Sequence, residues 1–331
     1  MEDRIAAYLA HAMPETADIT VDQLSRIPGG SSQETFKLRA RWDGEERWLI
    51  LRRAPADGLV VAERDTEFLV YRALEGSGVP VPRVHHMEMD PRWLDRPFFV
   101  MDLMPGKPGH FFHPGDIYEG KAREVGTAFW HHLGTLARQS ADAPGLAGLR
   151  NAGQAGAALW RNELAHWEAI LRAKERLVEP AEHGAIRWLR AHPPADPVRP
   201  AIVHGDYRSG NFLFTPDGAI SAILDWEMTH IGDPVEDIAW ALNPMWTMER
   251  HFPLDEGLAV WEAASGLTVD RRSLDWWRIF SAVKACAIWT TAQAAFDAGN
   301  RDMAAAMSAV RGIHFHRTEL LGRMAEQGAM G

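Results

Sequence analysis

The feature that most constrains the fold is a change of hydrophobic rhythm near residue 105. Before it the chain reads in two-residue steps, which put alternate side chains on opposite faces of a strand; beyond it apolar residues recur every three or four positions, as on one face of a helix. Residues 35–42 and 47–52 are β-type runs flanking Asp43-Gly44, a strong hairpin signal because both residues accept the left-handed backbone of a tight turn. A glycine-bearing turn, Gly29-Gly30-Ser31-Ser32, lies one strand earlier. Residues 2–12 read as a short amphipathic helix carrying Ile5, Tyr8 and Leu9. Residues 62–76 place Phe68, Tyr71 and Leu74 at helical spacing, with Gly76 and Gly78 as a stop. VPVPRVHHMEMD and PFFVMDLMPG read as two more strands, so the first third is expected to be β-β-β-α-β-β, an antiparallel sheet with one helix.

After Pro105-Gly106 the segments 116–139, 154–174 and 180–191 read as amphipathic helices, each with Trp on its apolar stripe. Strands return at 201–206, 211–215 and 219–226, with Asp217-Gly218 as a second hairpin turn. From Asp233-Pro234 the pattern is helical through 237–243, 255–265, 273–298 and 301–326. The expectation is an α+β chain of two units, 1–104 and 105–331, a division that suits a length of 331 residues.

Charge and cysteine content narrow the partners. Lys and Arg number 35 against 45 Asp and Glu, a net charge of −10 without a basic run, which disfavours a nucleic-acid or anionic-membrane face. The one cysteine, Cys286, cannot form an intramolecular disulfide and sits in the apolar run AVKACAIWTT, where it reads as a small hydrophobe. The first residues carry acids early, unlike a secretory leader, and no stretch approaches the ~20 apolar residues of a membrane span. A soluble, cytoplasmic protein is expected.

The chemistry concentrates in VHGDYRSGNFLFTPDGAISAILDWEMTHIGDPVEDIAWAL, residues 203–242. Asp206, Asn211 and Asp225 each begin or follow a short apolar strand, so each projects from a loop braced by a core. Five positions separate Asp206 from Asn211, so one loop can aim a carboxylate and an amide at one point, and the following hairpin returns Asp225 beside Asn211. A carboxylate and an amide oxygen converging in this way suit Mg²⁺, a hard cation that keeps its remaining positions for water and phosphate.

The conjunction His204-Gly205-Asp206, Asn211, a hairpin and Asp225-Trp226-Glu227 resembles the catalytic and metal-binding segments of the protein-kinase-like fold, in the form found in the aminoglycoside phosphotransferase and choline kinase superfamily. LDWE followed by GDPVEDIA is similar to bacterial phosphotransferases related to the kinase-like domain of some acyl-CoA dehydrogenases. The resemblance implies a two-lobed α+β kinase-like fold, with a small antiparallel-sheet lobe that binds nucleotide and a larger, mainly helical lobe for catalysis and acceptor. It implies ATP as co-substrate and Mg²⁺, with Asp206 as the base for an acceptor hydroxyl and Asn211 and Asp225 as metal ligands. His204 and Asp237 would support the loop, and Glu227 would touch a second metal or its water. Gly29, Gly30, Ser31 and Ser32 would cover the phosphates, with Arg52 on the α- and β-phosphates and Glu67 holding that cation. Asp102, Leu103 and Met104 would be the hinge that meets adenine.

Two departures stand out. Arg52 replaces a Lys more usual at that place, with Arg53 as an adjacent alternative, and Asp65 competes with Glu67. Only eight positions separate Asp225 from Asp233, which leaves no room for a protein-docking activation segment and favours a small acceptor: a metabolite, a hydroxyacyl thioester, an amino alcohol or an aminoglycoside-like molecule. The rival reading is a silent pseudokinase that binds nucleotide or acts as a scaffold. No Walker A motif and no G-x-S-x-G elbow occurs, and His85-His86, His131-His132, His314 and His316 lack the i, i+4 spacing of a helical zinc pair. Trp246, Trp261, Trp276, Trp277 and Trp289 fit either core packing or an acceptor pocket.

Overall fold

The structure is a computed structural model and describes residues 1–27, 33–54, 65–110, 115–174, 179–299 and 303–328. Helix α1 (Glu2–Ala12) precedes strands β1 (Thr20–Ile27), β2 (Glu34–Trp42) and β3 (Glu45–Arg53). Then come α2 (Thr66–Leu74), β4 (Val84–Glu88), the single turn α3 (Pro91–Leu94) and β5 (Phe98–Asp102). Among the described residues these strands form a five-stranded sheet in the order β1-β2-β3-β5-β4, with the pairings antiparallel.

Alternation along the strands decides what each face buries. Leu49, Leu51, Phe98 and Val100 point one way and enclose Ile5, Tyr8 and Leu9 of α1 with Leu94 of α3. Ile50, Phe99 and Met101 point the other way, onto Phe68, Tyr71 and Leu74 of α2 and into the main core. Burying three side chains of that size is worth about 5 kcal/mol, enough to hold α1 on the outer face. The same alternation sends Arg52 to the inner, α2 side and Arg53 to the outer side.

The rest of the chain is β6 (Lys107–Pro108), α4 (Ala122–Ala137), α5 (Ala157–Lys174), α6 (Pro180–Ala191), β7 (Ala201–Val203), β8 (Phe212–Phe214), β9 (Ile220–Ile223), β10 (His230–Gly232), α7 (Val235–Ala241), α8 (Leu254–Ser265), α9 (Arg271–Asp297) and α10 (Met303–Glu326). Helix α9 is the axis of this part, with Trp276, Trp277, Phe280, Val283 and Cys286 all buried. Its 27 residues are long and apolar enough to cross a bilayer, contrary to the expectation that no segment approaches that length, but half of its most apolar window lies inside the protein. Helices α4 and α8 approach closely: a Cβ at Gly134 would lie 2.6 Å from the Trp261 carbonyl oxygen.

Several boundaries differ from the sequence reading for local reasons. The helix expected over 116–139 starts at Ala122 because Glu119 and Gly120 take positive φ and the Asp116 carboxylate accepts N–H bonds from Tyr118 and Gly120. The strand expected to reach 206 stops at Val203, ahead of Gly205 at φ +83°, and the one expected to reach 226 stops at Ile223, ahead of Asp225 at φ +70°. Helix α7 begins two residues early, at Val235, whose N–H is accepted by Asp233.

Candidate active site

The loop between β7 and β8 carries His204, Asp206 and Asn211, and its shape is imposed by groups beneath it. Asp237, buried on α7, accepts the backbone N–H groups of His204 at 2.7 Å and Gly205 at 2.9 Å. Burial pushes its carboxyl up to about 6, against the pull of those two donors. Gly205 is required here: its φ is +83°, and a Cβ would sit 2.5 Å from the Met228 carbonyl oxygen. His204 is fully buried, and burial lowers its pKa to about 4, so it is neutral. Its partners fix the tautomer: Nε2–H donates to the Leu224 carbonyl at 3.0 Å, and Nδ1 accepts the Asp206 N–H at 3.1 Å.

The Asp206 carboxylate is held at both oxygens. Oδ2 accepts Asn211 Nδ2 at 2.6 Å, while Oδ1 accepts Arg208 Nε at 2.9 Å and Trp240 Nε1 at 2.7 Å. Asn211 Nδ2 also donates to the Asp206 carbonyl at 2.9 Å, so the amide nitrogen faces Asp206 and its oxygen is turned the other way. The β8–β9 hairpin pairs Phe212 with Ile223, and Leu224 N–H donates to Asn211 O at 2.8 Å, which brings Asp225 back beside Asn211. Asp225 is one-third exposed and its left-handed backbone turns the chain into the turn holding Glu227.

The sheet lobe contributes an ion pair to the same place. Arg52 on β3 meets Glu67 on α2 at 2.8 Å and lies 3.6 Å from Asp225. Glu67 is fully buried and also accepts Tyr71 Oη at 3.0 Å and Gln33 Nε2 at 3.3 Å. Burial pushes the Glu67 carboxyl up, with Arg52 opposing; burial also works against the Arg52 charge, but Glu67 and Asp225 outweigh it and its pKa is raised. Arg53 instead pairs with Glu34 on the outer face, at 2.7 Å. Of the two candidate cations, the geometry brings Arg52 to Asp225. In the segment expected to be the hinge, Asp102 N–H donates to Arg83 O at 3.0 Å and Leu103 N–H to Trp48 O at 3.1 Å; Met104 follows. Gly29, Gly30, Ser31 and Ser32 lie outside the described residues.

Three neighbours of this site were not singled out from the sequence. Arg208 stands two residues after Asp206, Trp240 stands three after Asp237 on the same helical face, and Lys284 is the lone charge within AVKACAIWTT. Lys284 is 1% exposed and donates to the Gly205 carbonyl at 2.7 Å and to Glu236 at 3.1 Å. Glu163, His230 and Glu236 gather their ligating atoms within 4.8 Å of one another, a metal-like set. Its negative charge is already met, however, by Lys284 on Glu236 and by Arg150 on Glu163 at 2.7 Å, so the cluster is a buried ion network. The tryptophans named from the sequence divide: Trp261, Trp276 and Trp277 are core, and Trp246 packs on Trp240 with ring centroids 4.8 Å apart.

An antiparallel sheet lobe donating an Arg–Glu pair faces a helical part that carries Asp, Asn and Asp on a loop and hairpin, which is the arrangement of a kinase-like fold. The sequence profile of the phosphotransferase enzyme family matches residues 23–277, and the chain belongs to that family. It is 30% identical over 238 residues to acyl-CoA dehydrogenase family member 10 of Mus musculus, covering 71% of this chain and 21% of that protein. The chain thus spans about a fifth of that relative's length. Its fold is similar, at TM-score 0.76 and 20% identity, to a Ralstonia eutropha protein described as an aminoglycoside phosphotransferase, with 98% of each chain covered. It is also similar, at TM-score 0.58 and 15% identity, to aminoglycoside phosphotransferase APH(4)-Ia in a ternary complex with ADP and hygromycin B, covering 93% of this chain and 98% of that one.

Proposed function

We propose that the protein transfers the γ-phosphoryl group of ATP to a hydroxyl of a small acceptor, with residues 1–104 binding nucleotide and residues 105–331 supplying the catalytic loop and acceptor site. The observation that carries this reading is the Asp206 carboxylate, held at both oxygens by Asn211, Arg208 and Trp240 and placed on a loop that Asp237 fixes from below. Asp206 accepts the acceptor's hydroxyl proton; the acceptor oxygen then bonds to the γ-phosphorus as the bond to the β,γ-bridging oxygen breaks, and ADP leaves.

The residues suit Mg²⁺. Asn211 spends its amide nitrogen on Asp206 and keeps a hard oxygen for a cation, and Asp225 adds a partly exposed carboxylate. When bound, the ion neutralises charge on the phosphate oxygens. Glu227, on the turn after Asp225, is the reserve carboxylate for a second ion or its water. Arg52, oriented by Glu67, is the protein's own cation for the α- and β-phosphates. Because the Asp102 and Leu103 N–H groups are already bonded, hinge recognition of adenine uses carbonyl groups and Met104.

For the acceptor we favour a hydroxyacyl thioester. The support is the kinship with chains named acyl-CoA dehydrogenase family members, of which the matched stretch makes up 21% and 30%. The test has two stages. Thermal unfolding with ATP or GTP, each with and without Mg²⁺, is expected to show a Mg²⁺-dependent rise with ATP; saturation at 100 Kd is worth about 2.7 kcal/mol. ADP release is then compared across hydroxyacyl-CoA, amino-alcohol and aminoglycoside acceptors. No nucleotide shift at millimolar concentration would favour the pseudokinase, and release driven by an aminoglycoside would replace the thioester.

A further inference from the structure

The bonds to Asp206 differ in what they tie it to. Asn211 and Arg208 belong to its own loop, so their bonds fix the carboxylate only relative to that loop. Trp240 comes from α7, and its Nε1–H reaches Oδ1 at 2.7 Å. An aspartate's terminal torsion is broad, so a rigid donor from outside the loop is what sets the carboxylate plane in the frame of the protein. Trp240 is itself held firmly. It is 2% exposed, its carbonyl accepts Trp246 Nε1 at 2.8 Å, and the Lys284 ammonium stands 4.7 Å over its ring. That ammonium also holds the Gly205 carbonyl, one residue before Asp206. Lys284 therefore grips the loop backbone and the indole that aims the loop's carboxylate.

We propose that Trp240 is a positioning residue for Asp206, and that Lys284 sets loop and indole in register through the Gly205 carbonyl and the indole face. The inference rests on the reading of Asp206 as the base. A buried lysine is a costly way to satisfy one carbonyl, and Glu236 is the counter-charge that makes it tolerable, at 3.1 Å. A phenylalanine would keep an aromatic face beneath Lys284 but not the N–H, and it would leave part of the indole's volume empty.

The test compares ADP release from Mg²⁺-ATP by the wild type, Trp240→Phe, Asp206→Ala and the double variant, with 3-hydroxybutyryl-CoA as acceptor and with water in the basal reaction. Losing one hydrogen bond to a charged group predicts a fall in kcat of about tenfold or more for Trp240→Phe, with KM for ATP within about twofold and a lower melting temperature from the smaller ring, at an assay temperature where the variant stays folded. Because Trp240 acts through Asp206, the same substitution in the Asp206→Ala background should change kcat by less than about twofold. Lys284→Met should also lower kcat; if it does not fold, Trp240→Phe still decides the matter. Wild-type kcat in Trp240→Phe, or a loss undiminished without Asp206, overturns the proposal while leaving the base intact. Wild-type kcat in Asp206→Ala overturns the underlying reading instead.

Discussion

Replacing Gly205 by alanine isolates the geometry of the loop that carries Asp206, because it adds one methyl group and removes no hydrogen-bonding group. The added Cβ would lie 2.5 Å from the Met228 carbonyl oxygen, 3.0 Å from Met228 Cβ and 3.1 Å from its carbonyl carbon. Real Cβ atoms essentially never approach closer than 3.0 Å, so the two backbone segments must part by about 0.5 Å. The residue must also keep φ near +83°, which costs an L-residue about 1–2 kcal/mol. Together these predict a stability loss of about 2–4 kcal/mol by urea unfolding. The displaced residue adjoins Asp206, so kcat should fall by about 10²-fold, the scale on which small misplacements act. Turnover within twofold of wild type, with stability within about 0.5 kcal/mol, would refute the claim that this glycine sets the loop.

Other perturbations test separate parts. Glu67→Ala leaves Arg52 beside Asp225 without its buried partner, so KM for ATP should rise about tenfold or more, read by initial rates against ATP concentration; an unchanged KM removes Arg52 from the nucleotide site. Asp237→Ala strands the N–H groups of His204 and Gly205 and should cost about 2–5 kcal/mol in chemical denaturation, with a cost below about 0.5 kcal/mol counting against it. His316, whose pKa burial lowers to about 4, binds fewer protons folded than unfolded between pH 6.5 and 4. Stability should therefore fall as pH drops through that window, by up to about 3 kcal/mol for this residue, and His316→Gln should flatten the slope of unfolding free energy against pH.

The fold was legible where hydrophobic rhythm and turn chemistry agree. Asp43-Gly44 joins β2 to β3 with both residues at positive φ, and residues 180–191 form a helix over the expected span. The sequence reading was weakest where a single backbone angle ends an element. Asp225 adopts φ +70° in a chain whose neighbours look like a continuing strand, and the reason is the tertiary turn it makes. At the site, Asp206, Asn211, Asp225 and Asp237 could be found because loop, hairpin and helix keep them close in sequence. The Arg52–Glu67 pair could be placed only by position, and strand alternation decides between Arg52 and Arg53. Lys284 was hidden for another reason: a lysine within an apolar helix gives no local sign of its partners, and Gly205 lies 79 residues away.

The most direct test of the central claim is the detection of a phosphorylated acceptor, by mass, in reactions of wild type and Asp206→Ala with Mg²⁺-ATP and a hydroxyacyl-CoA. The account predicts product matched one-for-one by ADP in the wild type, and a rate lower by about 10²–10⁴-fold in the variant. Equal product from both proteins would contradict it.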